Sequence, residues 1–214
     1  MTESKASVRP GVIDEAVHML KKGGVIAYPT ETVYGLGCDA FCEAAVQRVF
    51  ELKGKMTNEP MLVLIGRAEG LASLVSSVPP AGRFLMDRFW PGPLTLVFQA
   101  SQRVPRTLTG GKDTIGCRVS PDPVCAALLE RFQRPLVSTS ANPAGRPPAR
   151  SASEVSAFFP DRVHFILDGG KRSLGLPSTV VSVAESAPRL LREGVLSKTV
   201  INDALRGRYE LISS

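Results

Sequence analysis

The stretch VIAYPTETVYGLGCDA, residues 25–40, guides the interpretation of the rest of the chain. Its first four residues, 25–28, form an apolar run that predicts a buried strand. Three residues with hydroxyl or carboxylate side chains follow, and then Gly35 and Gly37. A polar segment after a buried strand is typical of a ligand-binding loop, which we predict over 30–37. The two glycines are equally compatible with a turn that only needs positive φ angles.

Apolar spacings typical of helices and of strands alternate along the whole chain. We predict helices over 12–20, 45–52, 82–89, 123–132, 151–159 and 200–205. We predict strands over 25–28, 61–65, 94–98, 115–119, 136–137, 164–167 and 179–183. Not every pair of strands has a helix between them, so the sheet should be mixed. The predicted fold class is therefore α/β, a single domain with a twisted mixed sheet flanked by helices. The domain should span 11–207, after a flexible N-terminal segment (1–10) and before a C-terminal tail (208–214).

The composition is that of an ordinary globular protein. The chain has 214 residues, of which 43% are hydrophobic and 21% are charged. Residues 1–10 contain no apolar core of a signal peptide. No apolar run approaches the roughly 20 residues of a membrane helix. We therefore expect a cytoplasmic protein with no membrane contact.

Cysteine usage and net charge limit the possible chemistry. The four cysteines (Cys38, Cys42, Cys117 and Cys125) form no C-x-x-C motif, and the chain has only two histidines. We expect the thiols to be small buried groups in a reducing compartment, and we predict no metal site. The formal net charge of +6 favours anionic partners such as nucleotides, phosphates or RNA.

Four polar segments follow predicted strands or end a helix. They are 30–37, LKGK at 52–55, VSTSAN at 137–142, and LPSTVVSV with LLREG, which contribute Ser178, Thr179 and Arg192. Each also has a simpler explanation, because lysines at a helix C-terminus complement its dipole and turn hydroxyls often bond to their own backbone. Their coincidence nevertheless predicts one polar cleft for a phosphorylated ligand.

The usual glycine-rich phosphate loop is absent. TGGKDT at 109–114 and DGGKRS at 168–173 each place a residue other than Ser or Thr after the lysine. The chain also contains no G-x-G-x-x-G. If the protein binds ATP, side chains must therefore hold the phosphates.

At these segments the sequence resembles the YrdC-like family of threonylcarbamoyl-adenylate synthases. The matching motifs, in family order, are YPTETVYGLG (28–37), LKGK (52–55), WPGPLT (90–95), DTIGCRV (113–119), STSAN (138–142), STVV (178–181) and LLREG (190–194). The resemblance covers about residues 11 to 196 and is closest to the short, single-domain form. It implies a YrdC-like fold with a basic concave cleft.

The resemblance also implies a reaction. L-threonine, bicarbonate or CO2, and ATP with Mg²⁺ would give threonylcarbamoyl-adenylate and pyrophosphate. A separate transferase complex would use the product to make N6-threonylcarbamoyladenosine in tRNA. Because threonine carbamate is already an anionic nucleophile, this adenylation needs alignment and cations more than a strong general base. A site without a catalytic histidine suits such a step.

The site residues implied by the resemblance fall into three overlapping sets. The catalytic set is Lys53, Lys55, Ser140 and Asn142. The ATP-binding set is Lys53, Lys55, Thr114, Ser140, Asn142 and Arg192. The threonine-binding set is Thr32, Arg118, Ser138 and Ser178, and Thr30 and Tyr34 would support the loop.

The segment after Lys53 departs from the family pattern. Lys55 stands where the family usually has arginine, and Met56 where it usually has proline. Arginine and lysine are not equivalent at a bidentate phosphate contact. Two alternatives to the synthase therefore stay open. One is a module that binds double-stranded RNA or tRNA without synthase activity, although only 6% of residues are aromatic. The other is a YrdC-like fold with altered chemistry.

Overall fold

The structure is a computed structural model that describes residues 9–54 and 59–213. The helices are α1 (Pro10–Lys21), α2 (Glu43–Lys53), α3 (Pro80–Phe89), α4 (Arg106–Thr109), α5 (Pro123–Phe132), α6 (Ala152–Phe158) and α7 (Lys198–Leu205), with a 3-10 turn at Ala68–Ser73. The strands are β1 (Ile26–Pro29), β2 (Tyr34–Gly37), β3 (Leu62–Leu64), β4 (Leu94–Gln99), β5 (Thr114–Arg118), β6 (Leu136–Ser140), β7 (Phe165–Ile166), β8 (Thr179–Ser182), β9 (Arg189–Arg192) and β10 (Ile212–Ser213). Every predicted helix and strand is present, with small shifts at the ends.

The ten strands in the described part of the chain all belong to one mixed sheet, which confirms the predicted fold class. Its order is β10-β9-β8-β4-β5-β3-β6-β2-β1-β7. The pairs β1–β7, β3–β5, β4–β8 and β9–β10 are parallel. The remaining neighbours are antiparallel. The antiparallel pairs explain why helices do not separate every two strands, since only parallel neighbours need a crossover.

The opening stretch contains a strand that the sequence did not predict. We predicted a loop over 30–37, but Tyr34–Gly37 forms β2 and pairs antiparallel with β1. Similarly, β6 was predicted to end at Val137 and extends to Ser140. Backbone pairing between β2 and β6 explains both errors, because Gly35 lies opposite Ser140. The hydroxyl side chains of Ser138, Thr139 and Ser140 therefore project from a strand, although the sequence predicted that this segment forms a turn.

Position 37 must be a glycine because the Tyr28 ring and the Val137 carbonyl leave no room for a side chain there. Neither Gly35 nor Gly37 is among the described glycines with positive φ, so the turn interpretation was wrong. A Cβ added at Gly37 would lie 2.6 Å from a ring carbon of Tyr28 and 2.7 Å from the carbonyl oxygen of Val137. The buried Tyr28 ring therefore needs the space that a side chain at this position would occupy.

The two faces of the sheet carry separate hydrophobic clusters. In the apolar run 25–28, which leads into β1, Val25 and Ala27 belong to the larger cluster, whereas Ile26 and Tyr28 belong to the smaller one under α1 and α5. This alternation follows from the two-residue period of a strand. A strand buried on both faces reads as a continuous apolar run, as 25–28 does.

The two terminal segments predicted from the sequence are described only in part. Of the segment predicted to be flexible, residues 1–8 lie outside the described part of the chain. In the predicted C-terminal tail, Leu211 is buried and β10 pairs with β9.

Three cysteines are buried and Cys42 is half-buried, and all four are free thiols. None of the described helices combines the length and apolarity needed to cross a bilayer.

Candidate active site

A cavity of about 460 Å³ lies where the β1–β2 turn, the end of α2 and the ends of β5 and β6 meet. Most of the predicted polar residues line it. They are Thr32, Lys53, Arg118, Ser138, Ser140, Asn142, Ser178 and Arg192, together with the supporting residues Thr30 and Tyr34. The tertiary structure thus brings four distant segments of the sequence to one site.

Lys53 is buried at the last position of α2 and is oriented by carbonyl groups. Its side-chain ammonium donates to the backbone carbonyl of Ser140 at 2.6 Å and to that of Asn142 at 3.0 Å. Gly54, in the left-handed conformation with φ of 62°, ends the helix directly after it. Only 4% of the Lys53 surface is exposed. An exposed lysine would be enough to complement the helix dipole, so the dipole does not explain why Lys53 is buried.

Asn142 organises the loop that follows β6. Its side-chain amide donates to the carbonyl of Pro143 at 3.0 Å and to that of Arg146 at 2.6 Å. The Asn142 amide oxygen lies 3.4 Å from the Lys53 ammonium. The backbone of this loop also holds α2, because the Ala144 N–H donates to the Lys53 carbonyl. Asn142 therefore couples the loop at 142–146 to the buried lysine.

Arg192 and Ser178 form the opposite wall. The Arg192 guanidinium donates to the Ser178 carbonyl at 2.9 Å, and the Ser178 hydroxyl lies 2.9 Å from that of Thr95 on β4. Partial desolvation of the guanidinium where it meets Ser178 lowers the pKa of Arg192 from its ordinary value, and the positive charge of Arg118 lowers it further. The two arginines are therefore close enough to repel each other, an arrangement that favours a bound anion.

Arg118, at the end of β5, is held by an acidic residue from the opening turn. Its guanidinium forms an ion pair with Glu31, and the other Glu31 carboxylate oxygen accepts from the Ser120 hydroxyl. Arg118 is only 4% exposed. Within the described part of the chain, its Nε has no hydrogen-bond partner.

The turn that carries Thr32 is built by hydroxyl groups. The Thr30 hydroxyl accepts from the N–H groups of Thr32 and Val33 and donates to the Val33 carbonyl. The Thr32 hydroxyl lies 2.9 Å from that of Thr30. Tyr34 supports the turn from the side, since its hydroxyl donates to Asp168 or to the Gly170 carbonyl. Burial raises the pKa of Tyr34 to about 12, so the phenol keeps its proton.

One predicted site residue does not line the described cavity, and another lies outside the described residues. Thr114 stands at the start of β5, opposite Gln99, and does not line the described cavity. Lys55 lies outside the described residues, so its predicted role stays a prediction.

Sequence reasoning missed two residues that contact the predicted set. Glu31 holds Arg118, and Thr95 contacts Ser178. Both belong to segments already singled out, PTET and WPGPLT, so their position inside a motif was the available signal. Arg118 lies 87 positions from Glu31, and Ser178 lies 83 positions from Thr95. A local sequence pattern cannot reveal contacts over such distances along the chain.

The charges around the cavity are mainly positive. The charged residues among the described lining are Lys53, Arg118, Arg146, Arg192 and Glu59. The described part of the chain contains no group of three or more His, Cys, Asp or Glu side chains suited to holding a metal ion. The cavity therefore offers cations, hydroxyls and one amide, a donor set that suits phosphate and carboxylate groups.

A mixed sheet flanked by helices, with a buried lysine at a helix end, a buried arginine at a strand end and no P-loop motif in the sequence, places the protein in the α/β class. The chain belongs to the Sua5/YciO/YrdC family, described as "Telomere recombination", whose family model matches residues 18–194. This agrees with the family resemblance seen in the motifs.

Curated relatives from several organisms carry the name threonylcarbamoyl-AMP synthase. The relative from Pyrococcus abyssi is 42% identical over 181 residues, which cover 85% of this chain and 53% of that protein. The relative from Halorhodospira halophila is 40% identical over 180 residues, which cover 84% of this chain and 94% of that protein. The chain thus spans about half of the first relative and nearly all of the second.

Solved structures share the fold over most of the chain. P. abyssi Sua5 complexed with L-threonine has a TM-score of 0.91 and 38% identity, covering 96% of this chain and 60% of that one. Escherichia coli YciO has a TM-score of 0.81 and 30% identity, covering 89% of this chain and 93% of that one.

Proposed function

We propose that this protein is an L-threonylcarbamoyladenylate synthase, which makes threonylcarbamoyl-AMP and pyrophosphate from L-threonine, bicarbonate or CO2, and ATP. The observation that carries the proposal is the buried Lys53, oriented by the carbonyls of Ser140 and Asn142 beside a cavity that Arg118 and Arg192 also line. Lys53 and Arg118 are both buried beside this cavity, and buried cations are tolerated only where acceptors or opposite charges meet them, which suits the binding of anionic substrate groups. The names of the relatives agree with this function.

The chemistry needs cations in this arrangement. A carbamate oxygen of N-carboxythreonine attacks the α-phosphorus of ATP, an O–P bond forms, and the bond to the β-phosphate oxygen breaks. The electron pair leaves with pyrophosphate, whose growing charge must be stabilised. Preorganised cations in a partly dehydrated cavity supply that stabilisation. No proton needs to be removed from the carbamate oxygen, which suits a cavity without a histidine among its described lining residues.

We assign the phosphates to the side of the cavity formed by α2 and β6. Lys53 and Lys55 would contact the phosphates, and Ser140 and Asn142 would contact the nucleotide. Both donors of the Asn142 amide are directed to protein carbonyls, so it would also act by fixing the loop and Lys53. Arg192 lines the cavity and completes the proposed ATP-binding set there, whereas Thr114, which does not line it, belongs to the set through the family resemblance alone.

We assign threonine to the side formed by the opening turn and β5. Arg118 would bind the α-carboxylate, for which a guanidinium is well suited. Thr32, Ser138 and Ser178 would contact the amino acid with hydroxyl groups. All four line the cavity, which supports this assignment. In the proposed complex, threonine would lie between Thr32 and Arg118, next to the carbonyl-held Lys53.

Mg²⁺ would enter as part of the ATP substrate. In nucleotide sites, Mg²⁺ is held mainly by phosphate oxygens and water, with one or two protein carboxylates. Glu59 is the carboxylate residue among the described lining residues, and it could serve as that ligand. The proposed product would pass to a separate transferase that modifies tRNA.

The experiment that tests the function is an assay of pyrophosphate release. The full chain is incubated with MgATP, bicarbonate and L-threonine, and each component is omitted in turn. We expect release to require threonine and bicarbonate, and mass spectrometry to detect the threonylcarbamoyl adenylate. Release that is unchanged without threonine would contradict the proposal. Salt-sensitive tRNA binding without any ATP turnover would instead favour the RNA-binding alternative.

A further inference from the structure

The turn between β1 and β2 presents Glu31, whose side chain the turn itself does not need. The Thr30 hydroxyl already satisfies the N–H groups of Thr32 and Val33 and bonds to the Val33 carbonyl. Glu31 instead directs its carboxylate away from the turn, and only 13% of that side chain is exposed. Burying a carboxylate is unfavourable unless it is paired, so its partners must explain its position.

Both partners of Glu31 come from the end of β5. One carboxylate oxygen accepts from Arg118 and the other from the Ser120 hydroxyl. In the sheet, β6 and β3 lie between β2 and β5, which places β5 about 14 Å from β2 at ordinary strand spacing. Glu31 therefore ties the opening turn to a strand that is not the neighbour of β1 or β2 in the sheet.

The arginine that Glu31 holds has three properties of a prepared anion site. Arg118 is 4% exposed and lines the cavity, and its positive charge helps to lower the pKa of Arg192. Its Nε has no partner within the described residues, so the protein leaves a donor of this buried guanidinium unused. An unused buried donor is unfavourable, so the groups that do contact this guanidinium decide its orientation.

We propose that Glu31 is a positioning residue for recognition of the substrate carboxylate. By engaging one nitrogen of Arg118, it fixes the orientation of the guanidinium at the cavity wall, where the α-carboxylate of the amino acid would bind. Because Glu31 is adjacent to Thr32 in the chain, the ion pair between Glu31 and Arg118 also sets the separation between Thr32 and Arg118. This inference rests on the proposed function, in which those two residues contact threonine.

A purely structural role for the ion pair makes a different prediction. If Glu31 only stabilised the fold, its loss would lower the unfolding temperature and leave the affinity for threonine unchanged. If it positions Arg118, its loss must weaken threonine binding while ATP binding on the other side of the cavity stays nearly the same. The comparison of the two ligands therefore separates the two roles.

The test measures binding of L-threonine by calorimetry, with a non-hydrolysable ATP analogue present, to the wild type and to Glu31→Gln. The variant keeps the size and one acceptor oxygen of the side chain but loses its charge. We expect threonine affinity to fall at least tenfold, ATP-analogue affinity to change less than twofold, and Glu31→Asp to restore part of the loss. The matched control is Glu185→Gln, which removes an exposed ion pair with Arg189 and should bind threonine as the wild type does.

A double-mutant cycle tests whether Glu31 acts through Arg118. In an Arg118→Met background, Glu31→Gln should weaken threonine binding by less than twofold. Fully additive losses, or wild-type threonine affinity in Glu31→Gln, would overturn the inference. If Glu31→Gln does not fold, Ser120→Ala replaces it, with about a threefold loss expected and wild-type affinity contradicting the inference. Failure of the wild type itself to bind threonine would overturn the proposed function and this inference together.

Discussion

The side-chain ammonium of Lys53 donates to the backbone carbonyl of Ser140 at 2.6 Å, although 87 residues separate them. One residue ends α2 and the other ends β6. Since Lys53 also donates to the Asn142 carbonyl, the lysine and the STSAN segment form one unit. The predicted catalytic residues that are described thus depend on each other for their geometry.

Lys53→Ala should abolish most of the proposed activity. The change removes a buried cation beside the proposed phosphates, so we expect kcat/KM for pyrophosphate release to fall by about 10²–10³-fold. Lys21→Ala, which removes an exposed lysine of α1, is the control and should keep full activity. Wild-type activity in Lys53→Ala would show that the phosphate site is assigned to the wrong residue.

Lys55→Arg should keep or raise the activity. Arginine is the usual family residue at this position, and its planar fork can contact a phosphate with two parallel hydrogen bonds. The measurement is kcat/KM for ATP at saturating threonine and bicarbonate. A loss of more than tenfold would mean that the segment at 55–58 has a geometry adapted to lysine.

Gly37→Ala should destabilise the fold by several times the effect of an ordinary glycine substitution. The new Cβ would collide with the Tyr28 ring and the Val137 carbonyl, so we expect a loss of about 1–3 kcal/mol or more in the free energy of unfolding. Gly11→Ala is the control, because nothing lies within 4 Å of its Cβ and alanine favours the helix. Urea unfolding measures both. Equal stability of the two variants would disprove the close approach at Gly37.

The free energy of unfolding should fall as pH rises above about 9. Burial raises the pKa of the Cys125 thiol from its ordinary value of 9.0 to about 12, so the folded state keeps a proton that the unfolded chain loses. Each such group lowers stability by up to about 1.4 kcal/mol per pH unit between the unfolded and folded pKa values. Cys38 and Cys117 are buried thiols with pKa values raised in the same direction.

Cys125→Ala isolates one of these contributions. Urea unfolding between pH 8 and 11 should show a shallower decline for the variant than for the wild type, whatever its stability at neutral pH. A decline of identical slope would mean that this thiol titrates equally in the folded and unfolded states.

The predictable part of the fold is the part that depends on local spacing. The apolar run at 25–28 became β1, and the helix periodicities became α1, α2 and α5, since a helix or strand that covers a core must repeat its apolar residues with its own period. β2 could not be predicted in this way. Its glycines and hydroxyls are typical of turns, and only pairing with β1 and β6 makes the segment a strand.

The candidate site likewise has a part that the sequence predicts and a part that it does not. The motif order can be recognised in the sequence alone, and it identifies Lys53, Ser140, Asn142 and the hydroxyls of the opening turn as candidate site residues. The contacts of Glu31 with Arg118 and of Thr95 with Ser178 arise only when the chain folds. Those contacts join residues more than 80 positions apart, so they depend on strand order and burial, which no local pattern of residues encodes.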